Sequence, residues 1–490
     1  MTSRLGACLI LIGLLSACSS IPEPSRRPNF VVIFIDDMGY GDISPFGSTV
    51  NPTPNLKRMA DEGMKLTSFY ASPVCTPSRA ALMTGSYPIR NGLQTGSWHP
   101  VLMPGDINGI HPDEITVAEV LQEAGYATGI VGKWHLGDQP QFLPTRHGFD
   151  EYYGLPYSND MIPVAEGSLR ANRNFPPLPL VQGDKALREV VDQSTLTADY
   201  TREALDFIDR HHEEPFFLYL PHSMVHVPLH AGKDFEGSTG EGILSDAIAE
   251  IDWSVGQVLD KLLDLQLEQD TFVLFTSDNG PARGSAGSLR GRKGSTYEGG
   301  LRVPTIAWMP GTVPPDSFYL ETLSTMDLLP TFAAMAGASL DADRTIDGHD
   351  VSHILKGDLE ADSPYQFFFY YRGYNLRAVR QGTWKLHSNG ELYDLGLDVG
   401  ESVDVSAENP EITARLQTAL AAAREELGDG PLNPLQPGAR PAASARPVGK
   451  EESPRFLIPR PGQTGEAAHT PVIQGPLPKP STPWVRPDNW

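Results

Sequence analysis

The stretch Phe30-Val31-Val32-Ile33-Phe34-Ile35-Asp36-Asp37 is six apolar residues, all β-branched or aromatic, ending abruptly on two carboxylates. A run with no polar alternation suits a strand covered on both faces, as in a central, largely parallel sheet. Three further runs share the form. Ala127-Thr128-Gly129-Ile130-Val131 runs into Gly132-Lys133-Trp134-His135, Phe216 to Leu220 leads to His222 and His226, and Phe272 to Thr276 leads to Asp278-Asn279-Gly280. Helical signals lie between them. Thr116 and Glu119 make a capping box before a helix closed by Gly125, and Ile243, Ala247, Ile248, Ile251, Val255, Val258 and Leu262 recur at helical spacing. The pattern predicts an α/β fold, a large central and mostly parallel sheet flanked by helices. In such sheets sites form beyond the carboxyl ends of strands, so four strands would deliver polar groups to one edge.

Those polar groups have a chemistry. Asp36, Asp37, Asp278 and Asn279 offer hard oxygen ligands, which select calcium or magnesium over zinc. Taken singly, Asp-Asp after a strand is an ordinary cap and Asp-Asn-Gly an ordinary turn. His222 and His226 could suggest zinc, but no third His or Cys ligand stands out beside them. Lys133 and His135 lie two apart, so in an extended segment both would face the same way.

Cys75 is the only cysteine beyond residue 18. It cannot form an internal disulfide in an exported chain, so it either packs as a small apolar residue or does chemistry. Thr76 reads as an N-cap and Pro77 as the first helical residue of a helix running to Thr84-Gly85. Cys75 would then sit at the positive end of a helix, with Arg79 one turn away.

Cys75-Thr76-Pro77-Ser78-Arg79 resembles the Cys-x-Pro-Ser-Arg signature of the type I sulfatases, members of the alkaline phosphatase superfamily. The resemblance runs in order over roughly residues 28–425 and leans toward the arylsulfatase A and galactosamine-6-sulfatase branch. It implies that a maturation enzyme oxidises Cys75 to formylglycine, whose hydrated aldehyde is the nucleophile. It implies one Ca2+ ion, the family's usual metal, held by Asp36, Asp37, Asp278, Asn279 and residue 75. Arg79 would hold the diol, and Lys133, Lys293 and Ser158 would bind the sulfate. His226, in the position of the family's His-x-Pro element, would protonate the leaving oxygen, and His135 would take the proton that releases sulfate. The substrate would be an aryl or carbohydrate sulfate. An alkaline phosphatase-like fold follows from the same resemblance. Trp98, His99, Tyr152, Tyr153, Tyr157 and Arg372 could line an aryl or sugar subsite, or could be packing residues.

The ends read differently. Arg4, the apolar run Leu5 to Leu15 and Leu15-Ser16-Ala17-Cys18 resemble a bacterial lipoprotein leader over 1–18, too short to span a bilayer. Cys18 would carry the lipid and tether the protein in the bacterial envelope, facing the outer membrane or periplasm. An ordinary cleaved signal ending near Ala17 is the alternative. The catalytic domain is expected over 28–362. Short strands separated by Gly373, Gly382 and Asn389-Gly390, followed by a helix near Pro410, predict a small antiparallel subdomain over 363–428. Residues 429–490 are proline-rich and read as an extended tail.

The formal charge of −23 disfavours nucleic-acid binding, which needs a basic surface. A sulfated substrate would also be repelled overall, so any anion site must be built locally from cations. Two other functions compete. A phosphatase or phosphodiesterase of the same superfamily would want a Ser/Thr nucleophile and a second metal site rich in Asp and His. A non-catalytic, glycan-binding lipoprotein would need Cys75 to stay unmodified.

Overall fold

The computed structural model describes residues 27–95, 99–163, 175–430, 440 and 442–444. Its centre is a ten-stranded sheet in the order Ser317–Tyr319, Met64–Leu66, Ile306–Trp308, Thr271–Ser277, Asn29–Ile35, Phe216–Pro221, Ala127–Val131, Glu151–Gly154, Pro179–Gln182, Lys185–Glu189. The five strands from Thr271–Ser277 to Glu151–Gly154 are parallel to one another, and antiparallel pairs extend the sheet on both sides. The α/β expectation holds.

Asn29–Ile35 shows why the sheet forms. All seven residues are buried, and successive side chains enter opposite layers. Phe30, Val32 and Phe34 pack with Ala118, Leu121, Leu329 and Phe332 on one face, where the Phe30 and Phe332 rings stack at 4.4 Å. Val31, Ile33 and Ile35 pack with Ile248, Ile251, Val255 and Leu259 of the helix Ile243–Asp264 on the other. Each such side chain contributes about 1.5–3 kcal/mol by leaving water. A charge in mid-strand would therefore break the sheet at its centre.

The predicted Thr116–Glu119 capping box is present at the helix Val117–Glu123. The helix at the cysteine differs from expectation. It spans Cys75–Thr84 with Val74 at the N-cap, so Cys75 is already in its first turn. Thr76 does not cap it. Its hydroxyl donates to the His135 carbonyl at 3.1 Å and accepts from the Leu102 amide at 3.1 Å, tying the helix to the neighbouring loop.

A second sheet of four antiparallel strands, Phe368–Arg372, Asn375–Gln381, Trp384–His387 and Leu392–Asp394, is covered by the helix Pro410–Glu426. A buried ion network joins it to the main body. Lys385 Nζ lies 2.9 Å from both Glu298 Oε1 and Glu401 Oε1, and His387 Nε2 lies 2.8 Å from Glu401 Oε1. Part of the proline-rich tail returns to the body. Ala443–Ser444 pairs with Asn108–Gly109, and Arg440 makes two bonds to the Glu114 carboxylate at 2.6 and 2.9 Å. The expected leader, with Cys18, lies outside the described residues. Among the described residues no helix is long and apolar enough to cross a membrane.

Candidate active site

Four strand ends assemble the site. Asn29–Ile35 and Thr271–Ser277 run in register to Ile35 opposite Ser277, so Asp36-Asp37 and Asp278-Asn279 leave the sheet side by side. Phe216–Pro221 pairs on the other flank, and its following loop is pinned by Val225 N to the Asp36 carbonyl at 2.9 Å. Gly132 is needed for Lys133 to arrive. Its φ is +135°, and a Cβ there would stand 1.9 Å from the Pro221 carbonyl oxygen. Gly280 is constrained likewise, since a Cβ would meet the Gly299 oxygen at 1.8 Å.

Cys75 is buried among charges. Its Sγ lies 3.4 Å from Asp36 Oδ1 and 3.4 Å from Lys293 Nζ. Burial, with Asp278 and Asp36 adding to it, pushes the thiol pKa far up, so the unmodified side chain is no thiolate at neutral pH. Asp36 is held well below the usual carboxylate range, because Lys133, His226 and Arg79 outweigh its burial. Lys133 Nζ sits 2.5 Å from Asp36 Oδ2 and 3.3 Å from Ser158 Oγ. Lys293 Nζ sits 2.5 Å from Asp37 Oδ1. Arg79 donates to Asp278 Oδ2 at 2.8 Å and to the Lys133 carbonyl at 2.7 Å. Burial and the Asp36 charge raise Asp278 to about 6.

The two histidines are held in different states. His226 Nδ1 faces the Val227 carbonyl at 2.6 Å, Asn159 Oδ1 at 3.1 Å and Ser158 Oγ at 3.5 Å. A carbonyl only accepts, so Nδ1 carries the hydrogen, and Nε2 lies 3.7 Å from Asp37 Oδ2. His135 donates from Nε2 to the Leu102 carbonyl at 2.9 Å, leaving Nδ1 without a partner. Burial, then Lys133 and Arg79, hold its pKa well below normal, so it is a neutral ring with a free lone pair.

Lys133 and His135 do not share a face of an extended segment as expected. Gly132 and His135 both have positive φ, +135° and +65°, and the chain winds between them. His222 stands behind the site against Ser254 Oγ at 3.2 Å, where burial lowers it to about 3. Tyr152, Tyr153 and Tyr157 are core residues, whereas Arg372 is exposed. His99 is half-buried, and Trp98 lies outside the described residues. Sequence reading assigned no role to Asn159, which orients His226 and is itself clamped by Gln193 at 2.9 Å.

Asp36, Asp37, Cys75 and His226 bring one ligand atom each within 4.8 Å of one another. Asp37 Oδ2 and Asn279 Oδ1 are buried without a hydrogen-bond partner. Unsatisfied buried oxygens beside buried carboxylates fit a hard cation. Asp278 falls outside that tight group; one of its oxygens takes the Asp37 amide at 3.1 Å and the other takes Arg79.

A buried reactive position, flanked by carboxylates and ringed by Arg79, Lys133, Lys293 and His226, defines a hydrolase site for an anionic ester on an alkaline phosphatase-type sheet. The sulfatase family profile matches residues 28–338, and the chain belongs to that family of sulfuric ester hydrolases. It is 41% identical over 425 residues to N-acetylgalactosamine-6-sulfatase of Canis lupus familiaris, covering 81% of this chain and 79% of that one. It is 35% identical over 502 residues to Arylsulfatase A of Homo sapiens, covering 89% and 97%. Among solved structures, Ps i-CgsB in complex with k-i-k-neocarrahexaose superposes with a TM-score of 0.70 at 29% identity, covering 81% of this chain and 92% of that one.

Proposed function

We propose that the protein hydrolyses sulfate monoesters of sugars or aryl alcohols, with residue 75 matured to formylglycine and one Ca2+ ion. The observation that carries this reading is the convergence of Lys133, Lys293, Arg79 and His226 on a Cys75 that is buried beside Asp36 and lacks thiolate character. Oxidised by a maturation enzyme, side chain 75 would supply a hydrated aldehyde as nucleophile. Asp36, Asp37, Asn279 and residue 75, with Asp278 behind them, would hold the cation, which supplies positive charge against the sulfate and the ionising nucleophile.

The protein's own groups do the rest. Arg79, locked between Asp278 and the Lys133 carbonyl, fixes the helix start that presents residue 75. Lys133 Nζ and Ser158 Oγ, 3.3 Å apart, form one donor pair for the sulfonate oxygens, and Lys293 Nζ approaches from the opposite loop. Charge collects on the bridging oxygen as the S–O bond breaks, and a protonated His226 delivers its Nε2 proton there. Neutral His135 has an open Nδ1 to receive the proton lost when sulfate departs. Mass spectrometry of the peptide containing residue 75 tests the reading: an aldehyde oxygen should replace the thiol sulfur. A fully active preparation with intact cysteine would refute it.

Anchoring through Cys18 in the envelope belongs to the same proposal, motivated by the leader sequence. Cys18→Ala should move the protein from the membrane to the soluble fraction. Unchanged membrane association would exclude the lipid anchor.

A further inference from the structure

Beside the site lies a cleft of about 260 Å³ that the reaction does not use. Tyr297, Arg372, Arg377, His387, Ser388 and Asn389 line it, and no carboxylate does. Its near wall is the loop that delivers Lys293. Lys293 and Tyr297 are four residues apart, so their Cα atoms lie within about 14 Å even at full extension. The far wall belongs to the four-stranded sheet, whose Gly373 tip comes against Thr95.

The charges in this cleft are unusual for this molecule. Most arginines elsewhere in the described chain are engaged, as Arg58 is with Asp260, Arg90 with Asp347 and Arg146 with Asp184, and the exposed exceptions Arg283 and Arg292 do not line this cleft. Arg372 and Arg377 are exposed, and among the described residues nothing bonds to either guanidinium. In a chain of charge −23, two neighbouring guanidiniums without a carboxylate leave a local positive field. The wall behind them is rigid. His387 is held by Glu401 at 2.8 Å and by the Tyr297 ring at 4.8 Å.

We propose that this cleft is a second anion subsite, which takes the carboxylate or sulfate of a sugar adjoining the sulfated one. The proposal rests on the sulfatase reading above and extends it to the substrate, an acidic oligosaccharide. Arginine suits this use, because its planar fork matches both carboxylate and sulfate oxygens.

Titration calorimetry on the Cys75→Ala protein, which leaves the ester uncleaved, provides the test. Three disaccharides share one sulfated sugar, and its neighbour is neutral, carboxylated or sulfated. An acidic neighbour should tighten binding by about 10- to 100-fold over the neutral one. Arg372→Ala combined with Arg377→Ala should remove that gain, while Arg→Lys at both positions should retain part of it. Higher salt should shrink the gain, as expected for exposed charges. A gain in one acidic arm alone supports the subsite and identifies its anion. If all three ligands bind alike or not at all, or if the gain survives the double substitution, the subsite does not exist. Thermal melting should be unchanged in the double variant, because neither side chain has an internal partner. Should the matured wild-type protein hydrolyse none of these esters, the sulfatase reading fails, while the binding comparison still decides the cleft.

Discussion

Replacing His226 with alanine separates proton donation from sulfate binding. The ring is fixed through Nδ1 by Val227 and Asn159, so only Nε2 is available to give a proton into the site. A positioned general acid contributes about 10²–10⁴ in rate. At ~1.36 kcal/mol per tenfold, that is about 3–5 kcal/mol of barrier. The stabilisation is drawn on in proportion to the charge left on the departing oxygen. A sugar hydroxyl is a poor anion and needs the whole effect, whereas nitrophenol leaves readily without a proton. We therefore expect kcat/KM of His226→Ala to fall about 10²–10⁴ on a sugar sulfate and no more than ~10-fold on nitrophenyl sulfate. Asn159→Ala removes one of the two clamps on Nδ1, so it should show the same leaving-group trend at smaller size. Steady-state kinetics of both variants on both esters decide it. An equal loss on the two substrates would make His226 a sulfate ligand and leave Lys293 as the first candidate for the acid.

Lys293→Ala should cost about 10²–10³ in kcat/KM on either substrate, since it removes a placed cation and not a proton donor; a loss that tracks leaving-group pKa would reverse the assignment. Asp37→Ala removes the carboxylate shared by Lys293, Asn279 and the ligand group, so bound calcium measured by atomic emission should vanish together with activity. Calcium retained at one ion per chain would move the metal elsewhere. Glu298 gives a pH prediction. Burial opposes its charge, but Lys385, Arg380 and Arg302 prevail and lower its pKa from 4.5 to about 2. A carboxyl depressed on folding stabilises above its unfolded pKa, and the contribution is lost as pH falls from about 4.5 toward 2. The shift amounts to roughly 3 kcal/mol. Glu298→Gln should thus be destabilised by about that much at neutral pH in urea melts, and its deficit should close toward pH 2. A deficit that did not depend on pH would show that the network acts through packing alone.

Much of this was legible in the sequence where local chemistry decides the outcome. Six apolar residues ending in Asp36-Asp37 can hardly be anything but a buried strand with its carboxylates at the sheet edge, and they are. The capping box at Thr116 needs only residues three apart, and it forms. What failed depended on contacts distant in the chain. Thr76 reads as a cap from its neighbours, but the Leu102 amide and the His135 carbonyl claim its hydroxyl. Lys133 and His135 look like partners on one face, but Gly132 and His135 take positive φ, and Gly132 lies too close to the Pro221 carbonyl for any side chain. Asn159 carries no local signal for its role, because its partner His226 is 67 residues away. The small sheet was visible as glycine-punctuated strands, yet nothing local shows that Lys385 neutralises Glu298 at 2.9 Å. Arg372 reads from the sequence as a candidate for a sugar or aryl subsite, whereas Arg377 reads as an ordinary strand charge until the fold leaves both unpaired over one cleft.

The charge count at the centre explains how so acidic a protein can address an anion. Asp36, Asp37 and Asp278 face Arg79, Lys133 and Lys293, so the protein's own groups cancel and present no net field to a sulfate. A divalent ion on Asp37 Oδ2 and Asn279 Oδ1 would leave an excess of two positive charges. A sulfate monoester brings one negative charge, and an ionised nucleophile at residue 75 brings a second. With the proton on His226 counted, ion, ester and ionised nucleophile would leave one positive charge, which passes to the leaving oxygen as the bond breaks, and water exclusion makes that balance count heavily. The carboxylates therefore do more than ligate. Asp37 also keeps Lys293 charged, raising its pKa well above normal although burial alone would lower it. Removing any one carboxylate should thus disturb the cations around it as well as the metal, which is why Asp37→Ala and Lys293→Ala are best compared by calcium content, where only the first should lose the ion.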